Sequence, residues 1–421
     1  MKIVLLNTSE LSGGAAIACK RLMAALKKNG VEVKMLVRDK QTEDSNVVSI
    51  NKNFYIKVIN IFRFLRERLV IWINNRFSKD NLFAVSIADT GNNLINNELV
   101  QQADIIHIHW INQGFLSLPD LEKLVTSGKP VVWTMHDQWA YTGICHYTGG
   151  CDEFANLCSH CPKLMYSGKH DLSYKTFKKK ENLYKSGNIT FVGCSKWITN
   201  EAKRSFLCRE INMVSIPNPI DIKIYTKQNK DKTREALGLP FEKKLILFGA
   251  CKVTDKRKGF NYLKDACDIL LEQNKFSQED LAVVVFGGKS IGLDTLLPYP
   301  VHSLGYINNI QTIVNMYNAV DLFFIPSLED NLPNTIMEAM SCGTPCVGFN
   351  TGGISEMIDH KINGYVAIYK SAEDLAEGIH WILSEASYEQ LSRNARQKVI
   401  DCYSEEIVSE EYISLYKTVG S

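Results

Sequence analysis

At 421 residues, 45% apolar and 22% charged, the chain is too long for one ordinary hydrophobic core and too balanced to be disordered or collagen-like. Its 48 basic and 46 acidic residues leave a net charge of +2, which excludes a bulk electrostatic nucleic-acid binder and requires any anionic ligand to be met by a local cluster. Two sizeable globular domains are expected.

The first residues, MKIVLLNTSE, run straight into a strand pattern with no signal-peptide core. No stretch approaches the roughly 18 to 20 uncharged apolar residues of a membrane span. The expectation is a cytoplasmic protein. The strand-like KIVLLN is followed by a glycine turn at Gly13 and Gly14, an Ala-rich amphipathic stretch closing at Asn29 and Gly30, and a second run, EVKMLV. This is a βαβ opening. Between Phe54 and Phe77 a helical apolar stripe (Val58, Phe62, Leu65, Leu69, Trp72) accompanies Lys57, Arg63, Arg66, Arg68 and Arg76, against the single acid Glu67. Two readings stay open for 54–77: a helix lying on an anionic membrane, or a core-facing helix with a solvated polar face.

Further apolar runs follow: DIIHIH near 104, PVVWTM near 130, ITFVG near 189, KLILFG near 243, LAVVVF near 281, VDLFFI near 320 and PCVGF near 345. Helical patterns lie between most of them. Near-continuous apolar strands alternating with helices predict parallel sheets covered on both faces. The stretch SIPNPIDIKIYTKQNKDKTREALGLP, with its prolines and dense charge, breaks that rhythm and marks a domain boundary. Both halves read as doubly wound α/β domains, whose ligands sit beyond the carboxyl ends of the strands; two such rims are expected to face each other across a cleft.

Chemistry-bearing residues fall at those carboxyl ends. The Gly13–Gly14 turn opens a helix whose free N–H groups suit a phosphate or a sugar hydroxyl, although a bare glycine pair is more often only a turn. His136 and Asp137 follow the apolar run near 130, where an imidazole can donate to a substrate hydroxyl; satisfaction by a neighbouring carbonyl is the plainer alternative, and His107 and His109 fit it better. In FGACKVTDKRKGF, Lys252, Lys256, Arg257 and Lys258 crowd one rim position, as a diphosphate would need. In PSLEDNLPNTIMEAMSCGTPCVGFNTGGISEMI, Pro333 suits the first turn of a helix and Gly343 its stop, so Asp330 precedes the helix and Glu338 lies within it. Ile336, Met337, Ala339 and Met340 surround Glu338 with apolar side chains, a poor setting for a carboxylate without partners. Paired ribose hydroxyls would supply them, Asp330 could bind sugar hydroxyls, and Thr351, Gly352 and Gly353 form another turn. A structural salt bridge is the alternative for Glu338.

Four of the twelve cysteines, Cys145, Cys151, Cys158 and Cys161, fall within one seventeen-residue window. Four thiolates at about 2.3 Å would close a structural zinc site, with His146 and His160 as spare ligands; reduced, unligated thiols are the alternative.

SLEDNLPNTIMEAMSCGTPCV, TGGISEMI, the RKG loop, PNPID and SGGAA together resemble the retaining nucleotide-sugar glycosyltransferases of the large group-one, family 4-like type, in their bacterial surface-polysaccharide subset. The resemblance implies a GT-B fold of two Rossmann-like domains: an acceptor-side domain at 1–220, a nucleotide-sugar domain at 221–395, and a C-terminal helix at 396–421 returning to the first. It implies hexosyl transfer from a UDP- or GDP-sugar to a glycan or lipid-linked acceptor with retained anomeric configuration, commonly without a catalytic metal, at the inner face of the membrane. By the same likeness Glu338 holds the ribose and Asp330 the transferred sugar, with Glu329 as the other candidate for the first acid. Lys258, with Lys252 or Arg257, binds the diphosphate; Gly14 belongs to the phosphate-side loop and His136 faces the sugar. A nucleotide-sugar epimerase and a catalytically silent sugar-binding descendant are the rival readings.

Overall fold

Thirteen parallel strands form two sheets in a computed structural model that describes residues 1–250, 255–288 and 295–420. The first sheet contains β1 (Lys2–Ser9), β2 (Glu32–Asp39), β3 (Val47–Ser49), β4 (Ile105–Ile108), β5 (Val131–Met135), β6 (Ile189–Gly193) and β7 (Met213–Ser215), in the order β3-β2-β1-β4-β5-β6-β7. The second contains β8 (Lys244–Ala250), β9 (Leu281–Gly287), β10 (Val301–Gly305), β11 (Leu322–Ile325), β12 (Cys346–Phe349) and β13 (Gly364–Ala367), in the order β10-β9-β8-β11-β12-β13. In each sheet the order reverses beside its first strand, between β1 and β4 and between β8 and β11. Doubly wound sheets bind their ligands at such a switch point, beyond the carboxyl ends of the strands.

The interior strands are buried on both faces, which is why they read as unbroken apolar runs. In the first sheet Leu6, Ile106 and Trp133 point into one core and Leu5, Ile105 and Val132 into the other. Ile246, Phe248, Val283, Val285 and Phe324 anchor the main core of the second sheet.

The chain divides into Met1–Pro219 together with Val408–Ser421, and Ile220–Ile407. The final helix, Glu405–Val419, thus joins the first unit from residue 408, later than the 396 read from sequence, because the preceding helix Tyr388–Tyr403 packs within the second unit. Tyr412 and Tyr416 of the final helix are buried against the first sheet beside Leu5, Cys19 and Leu22. No helix among the described residues is long and apolar enough to cross a membrane.

Helix α1 (Gly14–Lys28) starts directly after Gly13 and buries Ala16, Cys19, Leu22 and Leu26. The next helix, α2 (Phe54–Asn74), overturns the core-facing alternative, because its buried residues are Asn60, Glu67, Arg68 and Ile71 while Phe62, Leu65 and Leu69 are exposed.

Candidate active site

Three turns meet at the carboxyl ends of the adjacent strands β8, β11 and β12. The first, Lys256–Lys258, is a short 3₁₀ turn capped by Asp255, whose side chain accepts the Arg257 N–H at 3.0 Å. Its backbone joins the next turn where the Arg257 carbonyl accepts the Leu328 N–H at 2.8 Å. Gly259 closes it in the left-handed region; a methyl there would stand 1.9 Å from the Pro326 carbonyl oxygen, so only glycine allows this approach. The second turn carries Asp330 toward the helix Asn334–Ser341. At the third, Gly352 has φ +56° and a methyl would lie 1.9 Å from the Asp330 carbonyl oxygen, which also accepts the Gly353 N–H at 3.1 Å.

This backbone packing brings Arg257, Lys258, Asp330, Gly352 and Gly353 together. Lys258 Nζ donates to Asp330 Oδ2 at 2.6 Å, and Arg257 Nη1 donates to the Glu329 carbonyl at 2.7 Å and lies 3.5 Å from the same Asp330 oxygen. Burial pushes the Asp330 carboxyl up, but the Lys258 and Arg257 charges outweigh it and hold the group below the usual carboxylate range. The Asp330 side chain meets the basic turn directly. Lys252 lies outside the described residues.

Glu338 sits one helical turn inside Asn334–Ser341 among Ile336, Met337, Ala339 and Met340, all fully buried. Its Oε2 accepts the Tyr317 hydroxyl at 2.9 Å. Burial first, and then the Glu338 charge, raise the Tyr317 hydroxyl well above its ordinary pKa, so it stays a donor. Sequence carried no signal for Tyr317, which belongs to the separate helix Ile310–Ala319. Chemically, the second unit offers two cations beside helix-opening turns, suited to a doubly charged phosphate group, and two carboxylates suited to hydroxyl pairs.

In the first unit His136 follows β5 and is half-buried. Its Nε2 lies 2.8 Å from His109 Nδ1 and its Nδ1 lies 3.7 Å from Cys194 Sγ. Cys194 directs its S–H to the Met135 carbonyl at 2.9 Å, so its sulfur accepts from His136 Nδ1–H; His136 Nε2 then accepts from His109. His109 stacks on His136 with ring centroids 5.2 Å apart and packs at a tilt against His107 at 4.3 Å, and His107 bonds Tyr416 at 2.6 Å and Thr134 at 2.8 Å. Burial lowers all three histidines, His136 to about 4 and His107 to about 3, and neighbouring imidazoles push His107 and His109 further. The stack is neutral at pH 7. The pairing of His109 with His136 was missed because the two stand 27 positions apart, just beyond the ends of different strands.

Asp137 is absorbed structurally. Its carboxylate accepts from Trp110 Nε1 at 2.8 Å and the Trp139 N–H at 2.9 Å, and pairs with His146 Nδ1 at 2.7 Å. His146 Nε2 lies 3.0 Å from Ser86 Oγ, so both of its nitrogens are taken and it is no spare metal ligand. Gly13 and Gly14 open α1 beyond β1.

All four clustered cysteines line one cavity of about 300 Å³, part of it open to solvent. The Cys145 and Cys161 thiols hydrogen-bond to each other, which lowers the Cys161 thiol, while burial raises Cys158 to about 12. Around a tetrahedral zinc with bonds of about 2.3 Å the sulfurs would lie roughly 3.8 Å apart. Among the described residues the one group of three potential ligand atoms within 4.8 Å of one another is Glu377, His380 and Glu385, so no three of these thiols converge. The arrangement is a hydrogen-bonded thiol pair with two further thiols around a cavity, and metal analysis tests the closed shell expected from spacing. Purified protein is expected to carry well under one zinc per chain by elemental analysis; one per chain would require the 145–161 loop to rearrange.

The family model for Glycosyltransferase Family 4 matches residues 12–224, and that for glycosyl transferases group 1 matches 229–398. The chain is 26% identical over 416 residues to an uncharacterised glycosyltransferase of Methanocaldococcus jannaschii, covering 96% of this chain and 94% of that one. It is 31% identical over 168 residues to the N,N'-diacetylbacillosaminyl-diphospho-undecaprenol alpha-1,3-N-acetylgalactosaminyltransferase of Campylobacter jejuni, covering 38% and 42% of the two chains. The crystal structure of Anabaena HepE in complex with UDP and glucose superimposes with a TM-score of 0.66 at 16% identity, over 99% of this chain and all of that one. With two doubly wound parallel sheets and family matches along both halves, the chain belongs to the Family 4, group 1 glycosyltransferases and has the GT-B fold.

Proposed function

We propose that this enzyme moves a hexosyl group from a UDP- or GDP-sugar to a glycan or lipid-linked acceptor in polysaccharide biosynthesis at a membrane face, retaining the anomeric configuration. The observation that carries this reading is the convergence of Lys258 and Arg257 with Asp330 and the Gly352–Gly353 turn at the switch point of the second sheet. HepE, which shares the fold, was crystallised with UDP and glucose, and the Campylobacter relative is named for a diphospho-undecaprenol substrate.

In this reading the donor diphosphate competes with Asp330 for Lys258 Nζ. The released Asp330 carboxylate accepts hydroxyl protons of the transferred sugar, and Glu338, oriented by Tyr317, accepts those of the ribose. The acceptor oxygen attacks the anomeric carbon on the face the diphosphate is leaving; the sugar–phosphate bond breaks, and the departing phosphate oxygen takes the acceptor's proton. Stabilising the leaving diphosphate is then the main catalytic task, which fixed cations and helix N-termini perform without reorganisation. On the first unit, the α1 N-terminus at Gly13–Gly14 suits a phosphate oxygen. Neutral His136, held through Nε2 by His109, would meet a sugar hydroxyl by turning its Nδ1–H away from the long 3.7 Å contact with Cys194.

Incubation with UDP- and GDP-hexoses is expected to give slow nucleotide release that accelerates with acceptor, and NMR of the product should show the donor's anomeric configuration. Absence of nucleotide binding and release would overturn the reading. Alteration of free donor without any acceptor would instead favour an epimerase.

A further inference from the structure

Helix α2 is folded inside out. The residues it turns toward the protein are polar: Asn60 donates to Asn51 Oδ1 at 2.7 Å, Glu67 accepts the Ile87 and Ala88 N–H groups at 2.8 and 2.9 Å, and Arg68 pairs with Glu67 at 2.9 Å while donating to the Val85 carbonyl at 3.1 Å. Arg63 is also tied inward, to Asn60 at 3.0 Å and to Asn92. The opposite face carries Phe54, Ile61, Phe62, Leu65, Leu69 and Ile73, each 49–81% exposed. At about 100° per residue these six occupy roughly a 120° arc of the helix. Exposed Phe77 and Phe83 follow just beyond its end.

A contiguous apolar face of this size marks an interaction surface, and the surrounding charge identifies what it meets. Across 50–80 the exposed charged residues are Lys52, Lys57, Arg66, Arg76 and Lys79 against one exposed acid, Asp80, and Arg66 also reaches Asp89 at 2.9 Å. The helix's own acid, Glu67, is fully buried. A chain with net charge +2 has placed a local excess of cations around this exposed apolar face. Two copies of this chain meeting through that face about a two-fold axis would set the same cations against each other. An anionic lipid surface meets both features at once, taking the apolar face into the acyl boundary and the cations among its headgroups.

We propose that α2 lies flat in the interface of an anionic bilayer, with Phe62, Leu65 and Leu69 inserted and Lys57 and Arg76 on lipid phosphates and carboxylates. The inference concerns docking alone and does not rest on the donor chemistry proposed above.

Flotation of the full chain with vesicles of phosphatidylcholine containing 30 mol% phosphatidylserine tests it, beside vesicles of phosphatidylcholine alone. The expected result is binding to the anionic vesicles at least about tenfold tighter than to the neutral ones, weakened several-fold by raising salt from 0.1 to 0.5 M. The triple variant Phe62→Glu/Leu65→Glu/Leu69→Glu should lose binding by about tenfold or more, and Lys57→Glu/Arg76→Glu should erase the preference for anionic lipid. Because all five positions are exposed or lie at the helix surface, circular dichroism, melting temperature and nucleotide-sugar binding should be unchanged in both variants, which separates failure of docking from failure of the enzymatic reading. Equal binding to both vesicle types, no binding to either, or a stable dimer abolished by the triple substitution would each overturn the proposal.

Discussion

Alanine at Lys258 is expected to lower sugar transfer by about a hundredfold to a thousandfold, the loss typical of removing one preorganised donor from a developing anion, about 2.7–4 kcal/mol. The ammonium at 2.6 Å from Asp330 is a strong cation of the basic turn, and with a diphosphate present it would bear on the leaving group. Among the described residues the substitution also leaves the buried Asp330 carboxylate with the more distant Arg257 guanidinium, at 3.5 Å, as its cationic partner. Part of any loss could therefore be stability. A double variant, Lys258→Ala with Asp330→Asn, removes the uncompensated charge and should recover melting temperature without recovering rate. Glu338→Gln tests the other end of the donor. It keeps the shape and an acceptor for the Tyr317 hydroxyl, so the fold should hold while donor affinity falls. Donor affinity unchanged in both Lys258→Ala and Glu338→Gln, measured by titration calorimetry, would remove these residues from the site.

The first unit should lose stability steeply as pH falls from 6.5 toward 4. His107, His109 and His136 have folded-state pKa values below their ordinary 6.5, at about 3 for His107 and about 4 for His136, with His109 also shifted down. Below 6.5 the unfolded chain therefore binds protons that the folded chain refuses. Stability falls with decreasing pH by about 1.4 kcal/mol per pH unit for each such group. The loss from His136 levels off near pH 4. Three groups acting together would remove roughly 5 kcal/mol between pH 6.5 and 5, comparable to the whole stability of a domain. The groups facing the stack, Thr134, Cys194, Tyr412 and Tyr416, are neutral in this range, and Asp137 beside it keeps its charge on His146. Glu10 acts only lower: Lys20 and the Thr42 hydroxyl outweigh its burial and hold it near 2, so its contribution is present above 4.5 and lost as pH falls through about 2. Thermal unfolding at pH 7.5, 6.5, 5.5 and 5.0 reads the histidine part separately. A flat melting temperature across that range would show that the imidazoles are not held neutral.

Nine strands were legible in the sequence, and the four that were missed, β3, β7, β10 and β13, are the four sheet edges. An interior strand of a parallel sheet must be apolar on both faces, and so announces itself. An edge strand such as Met213–Ser215 or Val301–Gly305 is half-exposed and carries no unbroken run. The site divides in the same way. Asp330, Glu338, Arg257, Lys258 and the Gly352–Gly353 turn were readable because each stands next to a strand end or helix start. Tyr317, His109 and Tyr416 were not, since their roles arise from contacts between elements far apart in the chain. In α2 the periodicity revealed an amphipathic helix but not which face points inward. The Glu67–Arg68 pair consumes two of the charges that the sequence would place in solvent.

The hydrogen bond from Tyr416 to His107 spans 309 positions of chain, and it fixes an order of events during synthesis. The second unit is one uninterrupted stretch, complete once residue 407 has left the ribosome. The first unit begins earlier yet cannot complete the cover of its sheet around Leu5, Ile105 and Val132 until residues 408–421 emerge. The half translated first therefore reaches its native state last, and truncation before residue 408 would uncover part of that face and leave the histidine cluster without its tyrosine support.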